Sequence, residues 1–179
     1  MKNNHTLKKV IMIPARSGSK RIKKKNLRLL SGKPLITYAM ETACKTGLPV
    51  YVNSDCDIIL SLAKDYNCIP YKRSQDLCKD SSTNDEFVND FIDNVGCDYV
   101  LQVLPTSPFI TEEEINNFSK EMTNYDTLVS VKDTQIGCIY KDTPINFRKD
   151  LQNPPSQEME PVKVYATSLM GWKCSTFKK

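Results

Sequence analysis

The chain of 179 residues contains no apolar run that approaches the roughly 18 residues a helix needs to cross a bilayer. Its basic start is followed by an apolar stretch that is too short for a secretory signal peptide. We therefore expect a protein with no membrane partner that resides in the cytoplasm. The length suits one α/β domain, or one such domain with a small additional lobe.

Two common kinds of site lack their usual residues. The only histidine, His5, lies in the polar start, where a disordered tail residue is a better interpretation than a catalytic base. The seven cysteines are odd in number and show no CxxC or CxxH spacing, which indicates neither a disulfide framework nor a zinc site. We interpret most of them as small buried apolar residues in a reducing compartment, and we expect no metal-ligating residues.

Acidic residues are absent from the first forty positions. Eleven lysines and arginines precede Glu41, whereas the whole chain carries a formal net charge of only +4, so the remainder of the chain is net acidic. Such a local concentration of positive charge indicates one anion-binding site rather than a generally basic protein.

Much of this charge lies in a loop that directly follows a short apolar strand, Val10–Ile13, within IMIPARSGSKRIKKKNL. Gly18 permits backbone angles that let successive N–H groups converge on phosphate oxygens. Arg16 supplies a planar fork of donors, and Lys20 and Lys25 supply point charges. The loop is neither a GK[ST] phosphate loop nor a GxGxxG motif. We interpret it as a polyphosphate-binding loop, and a solvated basic loop or a nucleic-acid patch is the alternative.

Strand-like and helix-like patterns alternate along the chain. The predicted strands are Val10–Ile13, Val50–Asp55, Cys68–Arg73, Asp98–Leu104 and Thr127–Lys132. The predicted helices are Pro34–Thr46, Asp57–Tyr66 and two that begin at the Thr-x-x-Glu capping boxes of Thr83 and Thr111. This alternation predicts an α/β fold with a doubly wound, mostly parallel sheet. Both PARSGSK and PTSP then fall at carboxyl ends of strands, where such sheets bind ligands.

Five segments between Val10 and Val131 resemble, in order, the cytidylyltransferases that activate acidic sugars. They are IPARSGSKRIKKKNL, SGKPLITYAMETA, VNSD, YKRSQDL and PTSPF. The sequence is most similar to acylneuraminate cytidylyltransferases (CMP-sialic acid synthetases), including those for pseudaminic and legionaminic acids. The resemblance implies a Rossmann-like nucleotide-diphospho-sugar transferase fold. It also implies transfer of CMP from CTP to a nine-carbon 2-keto sugar acid, release of pyrophosphate, Mg²⁺ bound with CTP, and a homodimer.

The resemblance also implies roles for individual residues. Arg16, Lys20 and Lys25 would be catalytic by neutralising phosphate charge. The implied nucleotide-binding residues are Ala15, Arg16, Ser17, Gly18, Ser19, Lys20, Asn26, Arg73 and Ser82. The implied sugar-binding residues are Gln102, Thr106 and Ser107. Three of these assignments have structural alternatives, namely a surface arginine at 73, helix capping by Ser82, and a purely structural turn at PTSP.

Some positions depart from the family pattern. Leu104 stands where the family has glutamine, Ile110 and Ser156 stand where it has arginine, and its Asp-x-Asp magnesium pair has no counterpart. The spacing recurs in Asp55-Cys56-Asp57, but the position of these residues after the second strand favours helix capping.

We expect a nucleotide-binding core over residues 1–132. Residues 133–179, a proline-punctuated stretch of loops and extended segments, would form an incomplete sugar-site and dimerisation segment. One alternative is a truncated or degenerate homologue that binds nucleotide without catalysis. Another is a nucleic-acid binder with a basic loop, although the loop lacks the interleaved aromatic residues on which bases stack.

Overall fold

The structure is a computed structural model that describes residues 7–19, 22–149 and 152–177. Lys20 and His5 lie outside the described residues. The strands are β1 (Lys9–Pro14), β2 (Leu29–Leu30), β3 (Lys33–Pro34), β4 (Val50–Ser54), β5 (Ile69–Lys72), β6 (Tyr99–Val103), β7 (Thr127–Thr134), β8 (Ile139–Tyr140), β9 (Thr143–Pro144) and β10 (Val162–Lys173). The helices are α1 (Leu35–Lys45), α2 (Asp57–Asp65), α3 (Asn84–Val95), α4 (Glu112–Glu121) and α5 (Cys174–Phe177).

The main sheet has the strand order β5-β4-β1-β6-β10-β7. Strand β1 pairs in parallel with β4 and β6, and β4 pairs in parallel with β5, whereas β10 is antiparallel to β6. The chain winds outward from β1 through β4 to β5 and then returns to the other side of β1 as β6. The carboxyl ends of β1 and β6 therefore flank a topological switch point.

Helices cover both faces of the sheet, as the sequence predicts. Alternate residues of a strand point to opposite faces. On one face, Ile11 and Ile13 of β1 belong to the apolar cluster that includes buried side chains of α1, α2 and α4. On the other face, Val10 and Met12 pack with Phe91 of α3 and its neighbours. This double coverage explains why β6 is buried at every residue.

The predicted helix caps are present at two of three places, and α2 begins at Asp57 as predicted. Thr83 and Thr111 each cap their helix in a complete capping box with the glutamate three residues later. The prediction that the Asp55–Asp57 segment caps α2 is wrong. Cys56 occupies the N-cap position without a side-chain cap, and its N–H is instead bound by the Ser54 hydroxyl at 3.1 Å.

The described chain divides into two compact units. One comprises the described residues up to Leu128 together with those from Ser168 onward, and the other is Val129–Thr167. The bounds of these units are not those of the functional segments expected over 1–132 and 133–179, because β10 brings the end of the chain back beside β6; those segments stay a prediction.

The smaller unit contains the short antiparallel β8–β9 hairpin. The amide of Asn146 bridges three backbone groups in it, accepting from Cys138 N–H at 2.9 Å and donating to Ile136 and Glu160 carbonyls at 2.8 Å each. In the described part of the chain, no helix is both long enough and apolar enough to cross a membrane.

Candidate functional site

A cleft of about 680 Å³ lies beyond the carboxyl ends of β1 and β6, at the switch point. Its walls come from the loop after β1 and the loop after β6. The lining residues are Pro14, Arg16, Gly18, Ser19, Ile22, Lys25, Asn26, Leu104, Pro105 and Thr106. The cationic side chains of Arg16 and Lys25 belong to the first wall, so the cleft is suited to an anionic ligand.

The loop after β1 is fastened to the end of β4 by a buried carboxylate. Asp55 accepts hydrogen bonds from the Ser17 backbone N–H at 2.7 Å and from the Ser17 hydroxyl at 2.5 Å. Burial raises the pKa of the Asp55 carboxyl, but the hydrogen bonds from Ser17, a backbone hydrogen bond at Asp55 and the charge of Arg73 together outweigh that effect and lower the pKa below its usual range. Asp55 is therefore ionised near neutral pH and holds the loop as an anion.

The backbone on either side of Ser17 is also fixed to β4. Ala15, which is buried, donates its N–H to the Asn53 carbonyl at 2.9 Å, and its own carbonyl accepts from the Ser54 hydroxyl at 2.5 Å. Beyond these contacts the loop continues through Gly18, which is exposed, and Ser19, which is half-buried. The anchoring is dense on the strand side of the loop and leaves the cleft side open to a ligand.

Arg16 reaches from the loop to the segment that precedes α3. Its Nη1 atom lies 3.4 Å from the Cys78 carbonyl, 3.3 Å from the Lys79 carbonyl and 3.2 Å from Asp80 Oδ1, while the side chain keeps 35% exposure. Asn26, buried beside it, donates its amide to the Arg16 carbonyl at 3.4 Å. Arg16 is thus oriented by the protein and still lines the cleft.

Arg73 is buried rather than a surface arginine. Its Nε donates to Asn53 Oδ1 at 2.6 Å, its Nη2 donates to the Asn53 carbonyl at 3.1 Å, and its guanidinium lies 4.0 Å from the centre of the Phe87 ring. Burial lowers the pKa of Arg73, but a guanidinium remains protonated in proteins. Arg73 is not among the cleft-lining residues. It binds Asn53 of β4, and the end of β4 supports the loop.

The remaining predicted residues are distributed around the cleft. Thr106 lines it, whereas the Ser107 hydroxyl bonds Ser168 Oγ at 3.2 Å. Gln102 is buried on the face of β6 that α3 covers, and it donates to Asn84 Oδ1 at 3.0 Å. The Ser82 hydroxyl donates to the Asp76 carbonyl at 2.9 Å and does not cap α3.

The structure therefore brings together in the cleft Arg16, Gly18, Ser19, Lys25, Asn26 and Thr106. It leaves Ala15 and Ser17 as anchors behind them, and it does not bring Arg73, Ser82, Gln102 or Ser107 into the lining. Sequence reasoning missed the role of Asp55. Its only signal was an acidic residue directly after a buried strand, next to a basic loop.

A metal site held by the protein does not fit the described residues. No group of three or more histidine, cysteine, aspartate or glutamate side chains is placed among them to hold a metal ion. Of the two acids that contact the described part of the loop, Asp55 already binds Ser17 through both carboxylate oxygens, and Asp80 is paired with Arg16.

Comparison with known proteins decides the family. Residues 10–150 match the sequence profile of the cytidylyltransferase family. The chain belongs to this family. It is 39% identical over 114 residues to the CMP-N,N'-diacetyllegionaminic acid synthase of Legionella pneumophila, and this alignment covers 59% of this chain and 49% of that protein. It is 29% identical over 162 residues to the N-acylneuraminate cytidylyltransferase of Escherichia coli, and this alignment covers 88% of this chain and 35% of that protein.

These matches confirm the resemblance that the five sequence segments indicate. The chain spans about half the length, or less, of these curated relatives. A solved CMP:2-keto-3-deoxy-manno-octonic acid synthetase complexed with CTP superposes with a TM-score of 0.69 at 18% identity, covering 96% of this chain and 76% of that one. This similarity agrees with the predicted Rossmann-like nucleotidyltransferase fold.

Proposed function

We propose that this cytidylyltransferase chain binds CTP in the cleft between the loops after β1 and β6, and transfers CMP to a 2-keto sugar acid of the sialic acid type. Pyrophosphate is the second product. The observation that carries the proposal is an anchored loop with two cationic side chains at the switch point of the sheet, in a member of this family.

In this proposal the triphosphate lies against the first wall. Arg16 offers a planar pair of donors to phosphate oxygens, Lys25 offers a point charge, and the backbone at Gly18 and Ser19 offers N–H groups. Charge-assisted hydrogen bonds contribute about 1.5–3 kcal/mol each, and micromolar affinity requires about 8 kcal/mol, so a few such bonds suffice. Lys20 belongs to the same loop and to the same proposed role.

The reaction needs positioning and charge neutralisation more than covalent chemistry. The anomeric hydroxyl of the sugar attacks the α-phosphorus and loses its proton, while the bond to the β-phosphate oxygen breaks and pyrophosphate leaves with the electron pair. Arg16, Lys20 and Lys25 would neutralise the charge on the leaving group. Mg²⁺ would enter with CTP as its phosphate-bound counterion, and no step is assigned to a protein-held metal.

The other assigned residues either belong to the second wall of the cleft, formed by the loop after β6, or support the cleft from behind. Thr106 would contact the sugar, and Ser107 would fix the shape of its loop through Ser168. Arg73 would act on the nucleotide by holding Asn53 and the end of β4. Ser82 would orient the segment before α3 through its bond to the Asp76 carbonyl, and Gln102 would hold the first residue of α3, Asn84.

We also propose that the protein is a cytoplasmic homodimer and that residues 133–179 contribute to the sugar site and the dimer contact. The smaller unit exposes several large apolar side chains, as an association surface would. They are Ile136, Ile139, Tyr140, Ile145, Val164 and Tyr165.

The test of the binding site is the affinity for CTP measured by calorimetry. Arg16→Ala should weaken CTP binding at least tenfold, because it removes a charge-assisted contact worth about 1.4 kcal/mol or more. Lys23→Ala is the matched control, since it removes one exposed charge from the same loop outside the cleft lining. Equal affinities for the wild type and Arg16→Ala, with both folded, would contradict the triphosphate assignment.

Turnover is a separate measurement. Pyrophosphate release is followed after addition of CTP, Mg²⁺ and sialic, legionaminic or pseudaminic acid in turn. Release with one acid supports a working synthetase and identifies its sugar. Binding of CTP without release supports the second candidate function, nucleotide binding without catalysis, which is compatible with the lack, among the described residues, of a group of three or more histidine, cysteine, aspartate or glutamate side chains placed to hold a metal ion.

A further inference from the structure

Two pairs of cysteines lie at the same short separation in the larger unit. The sulfur atoms of Cys97 and Cys174 are 3.4 Å apart, and those of Cys44 and Cys68 are also 3.4 Å apart. A disulfide has a sulfur–sulfur distance of about 2.05 Å, so either pair would need an approach of about 1.4 Å to become covalent. Proximity alone therefore does not distinguish the two pairs.

Their surroundings do distinguish them. Cys97 lies in the connection between α3 and β6, and Lys8 is fixed beside it by donating its Nζ to the Gly96 carbonyl at 2.7 Å. The hydrogen bond from Cys174 and the charge of Lys8 lower the pKa of the Cys97 thiol, against the opposing effects of burial and Asp98. Burial and the neighbouring Cys44 instead raise the pKa of Cys68.

Burial does not distinguish the two pairs, because each joins a half-buried cysteine to a buried one, so the difference lies in the space beside them. Cys97 and Cys174 both line a cavity of about 590 Å³ at the amino end of β6, opposite to the nucleotide cleft. Cys97 is partly exposed and Cys174 is largely covered. A small oxidant can therefore reach Cys97 first, with Cys174 within reach of its sulfur.

We propose that Cys97 and Cys174 form a peroxide-sensitive dithiol site, in which Cys97 is the reacting thiol and Cys174 the resolving one. The Cys97 thiolate attacks one oxygen of hydrogen peroxide, which gives a sulfenic acid and hydroxide. The Cys174 sulfur then attacks the Cys97 sulfur, and water leaves as the disulfide forms. In total, two thiols and one peroxide give one disulfide and two waters, so two electrons pass from sulfur to oxygen.

The disulfide would join residues that are 77 positions apart and would tie α5 to the turn between α3 and β6. Trp172, the only tryptophan, lies two residues before Cys174 and packs against Phe177 of α5 with ring centres 5.5 Å apart. Its fluorescence is therefore a reporter for oxidation of this site. The proposal is independent of the sugar and of turnover.

The first experiment uses the wild-type protein. Reduced protein is treated with hydrogen peroxide for graded times, its remaining thiols are alkylated, and disulfide-linked peptides are quantified by mass spectrometry. The Cys97–Cys174 link should form at least tenfold faster than the Cys44–Cys68 link, which is the matched internal control. Equal rates, a faster Cys44–Cys68 link, or links between two molecules would overturn the proposal.

Two variants then separate the roles of the thiols. Cys174→Ser should accumulate a sulfenic acid at Cys97 that dimedone traps, and Cys97→Ser should leave Cys174 unoxidised over the same time. In the wild type, oxidation should change Trp172 fluorescence and dithiothreitol should reverse the change. Both variants should lack this reversible change. Oxidation of Cys174 at an unchanged rate in Cys97→Ser would contradict the assignment.

Discussion

The carboxylate of Asp55 is the structural support of the proposed phosphate loop, and Asp55→Asn isolates its charge. An asparagine at this position keeps the shape and can still accept from the Ser17 N–H, while its amide can donate to the Ser17 hydroxyl once that hydroxyl rotates. Both hydrogen bonds thus survive as neutral ones. The substitution removes the charge assistance that each of them has in the wild type, together with the attraction between Asp55 and Arg73.

The expected cost follows from that difference. Hydrogen bonds to charged groups contribute about 1.5–3 kcal/mol and neutral ones about 0.5–1.5 kcal/mol, so each bond loses about 1 kcal/mol. Two bonds give a decrease of about 2 kcal/mol in the free energy of unfolding. For a chain of this size that corresponds to a Tm lower by about 4–8 °C. Asp57→Asn is the matched control, because the Asp57 side chain is 89% exposed and its ion pair with Lys72 is worth less than about 1 kcal/mol.

The Tm difference between the wild type and Asp55→Asn should also depend on pH, in a direction that the pKa of Asp55 determines. The folded-state pKa of Asp55 is lowered, so its contribution is complete above the unfolded-state pKa of about 3.9 and is lost as the pH falls through the folded-state pKa. The Tm difference between the wild type and Asp55→Asn should therefore be constant from pH 5 to 7 and should close below about pH 4. A difference that is absent at pH 7, or unchanged at low pH, would refute this account of the loop.

Two further predictions concern packing beside the site. Gln102 Oε1 is a buried acceptor with no partner among the described residues, whereas Nε2 donates to Asn84. Gln102→Met removes the unmet acceptor together with that hydrogen bond, and because the two effects oppose each other, the free energy of unfolding should change by less than about 1 kcal/mol in urea denaturation. A loss above about 3 kcal/mol would indicate a partner for that oxygen. Gly171→Ala should destabilise by about 1–3 kcal/mol, because its Cβ would lie 2.9 Å from atoms of Phe118 and Met122. Combining it with Phe118→Leu should recover part of the loss, and no recovery would contradict that contact.

Local patterns in the sequence were sufficient for most of the fold. The apolar run over Val10–Ile13 predicts β1, and the Thr-x-x-Glu spacings predict the starts of α3 and α4, because strand burial and helix capping depend on residues a few positions apart. The same patterns predicted extended segments near the end of the chain, but not the place of β10 in the sheet. Its antiparallel pairing with β6 joins residues more than sixty positions apart, which no local periodicity reports.

The candidate site also has one part that the sequence predicts and another part that it does not. The basic loop and its glycine were visible in the sequence, because a phosphate loop is built from consecutive residues. The support of that loop was not visible, since Ser17 and Asp55 are 38 positions apart and meet only because β1 and β4 are neighbours. The burial of Arg73 against Asn53 and Phe87 likewise depends on the layer that α3 forms over the sheet.

The sequence by itself determined the family, the alternation of strands and helices, and a concentrated positive charge after the first strand. Tertiary structure alone decided which carboxylate holds that loop, which predicted residues line the cleft, and which two of the seven cysteines meet beside Lys8. The physical reason is that composition and periodicity are properties of neighbours along the chain. Hydrogen bonds, burial and thiol reactivity are instead set by neighbours in space, which the order of the strands determines.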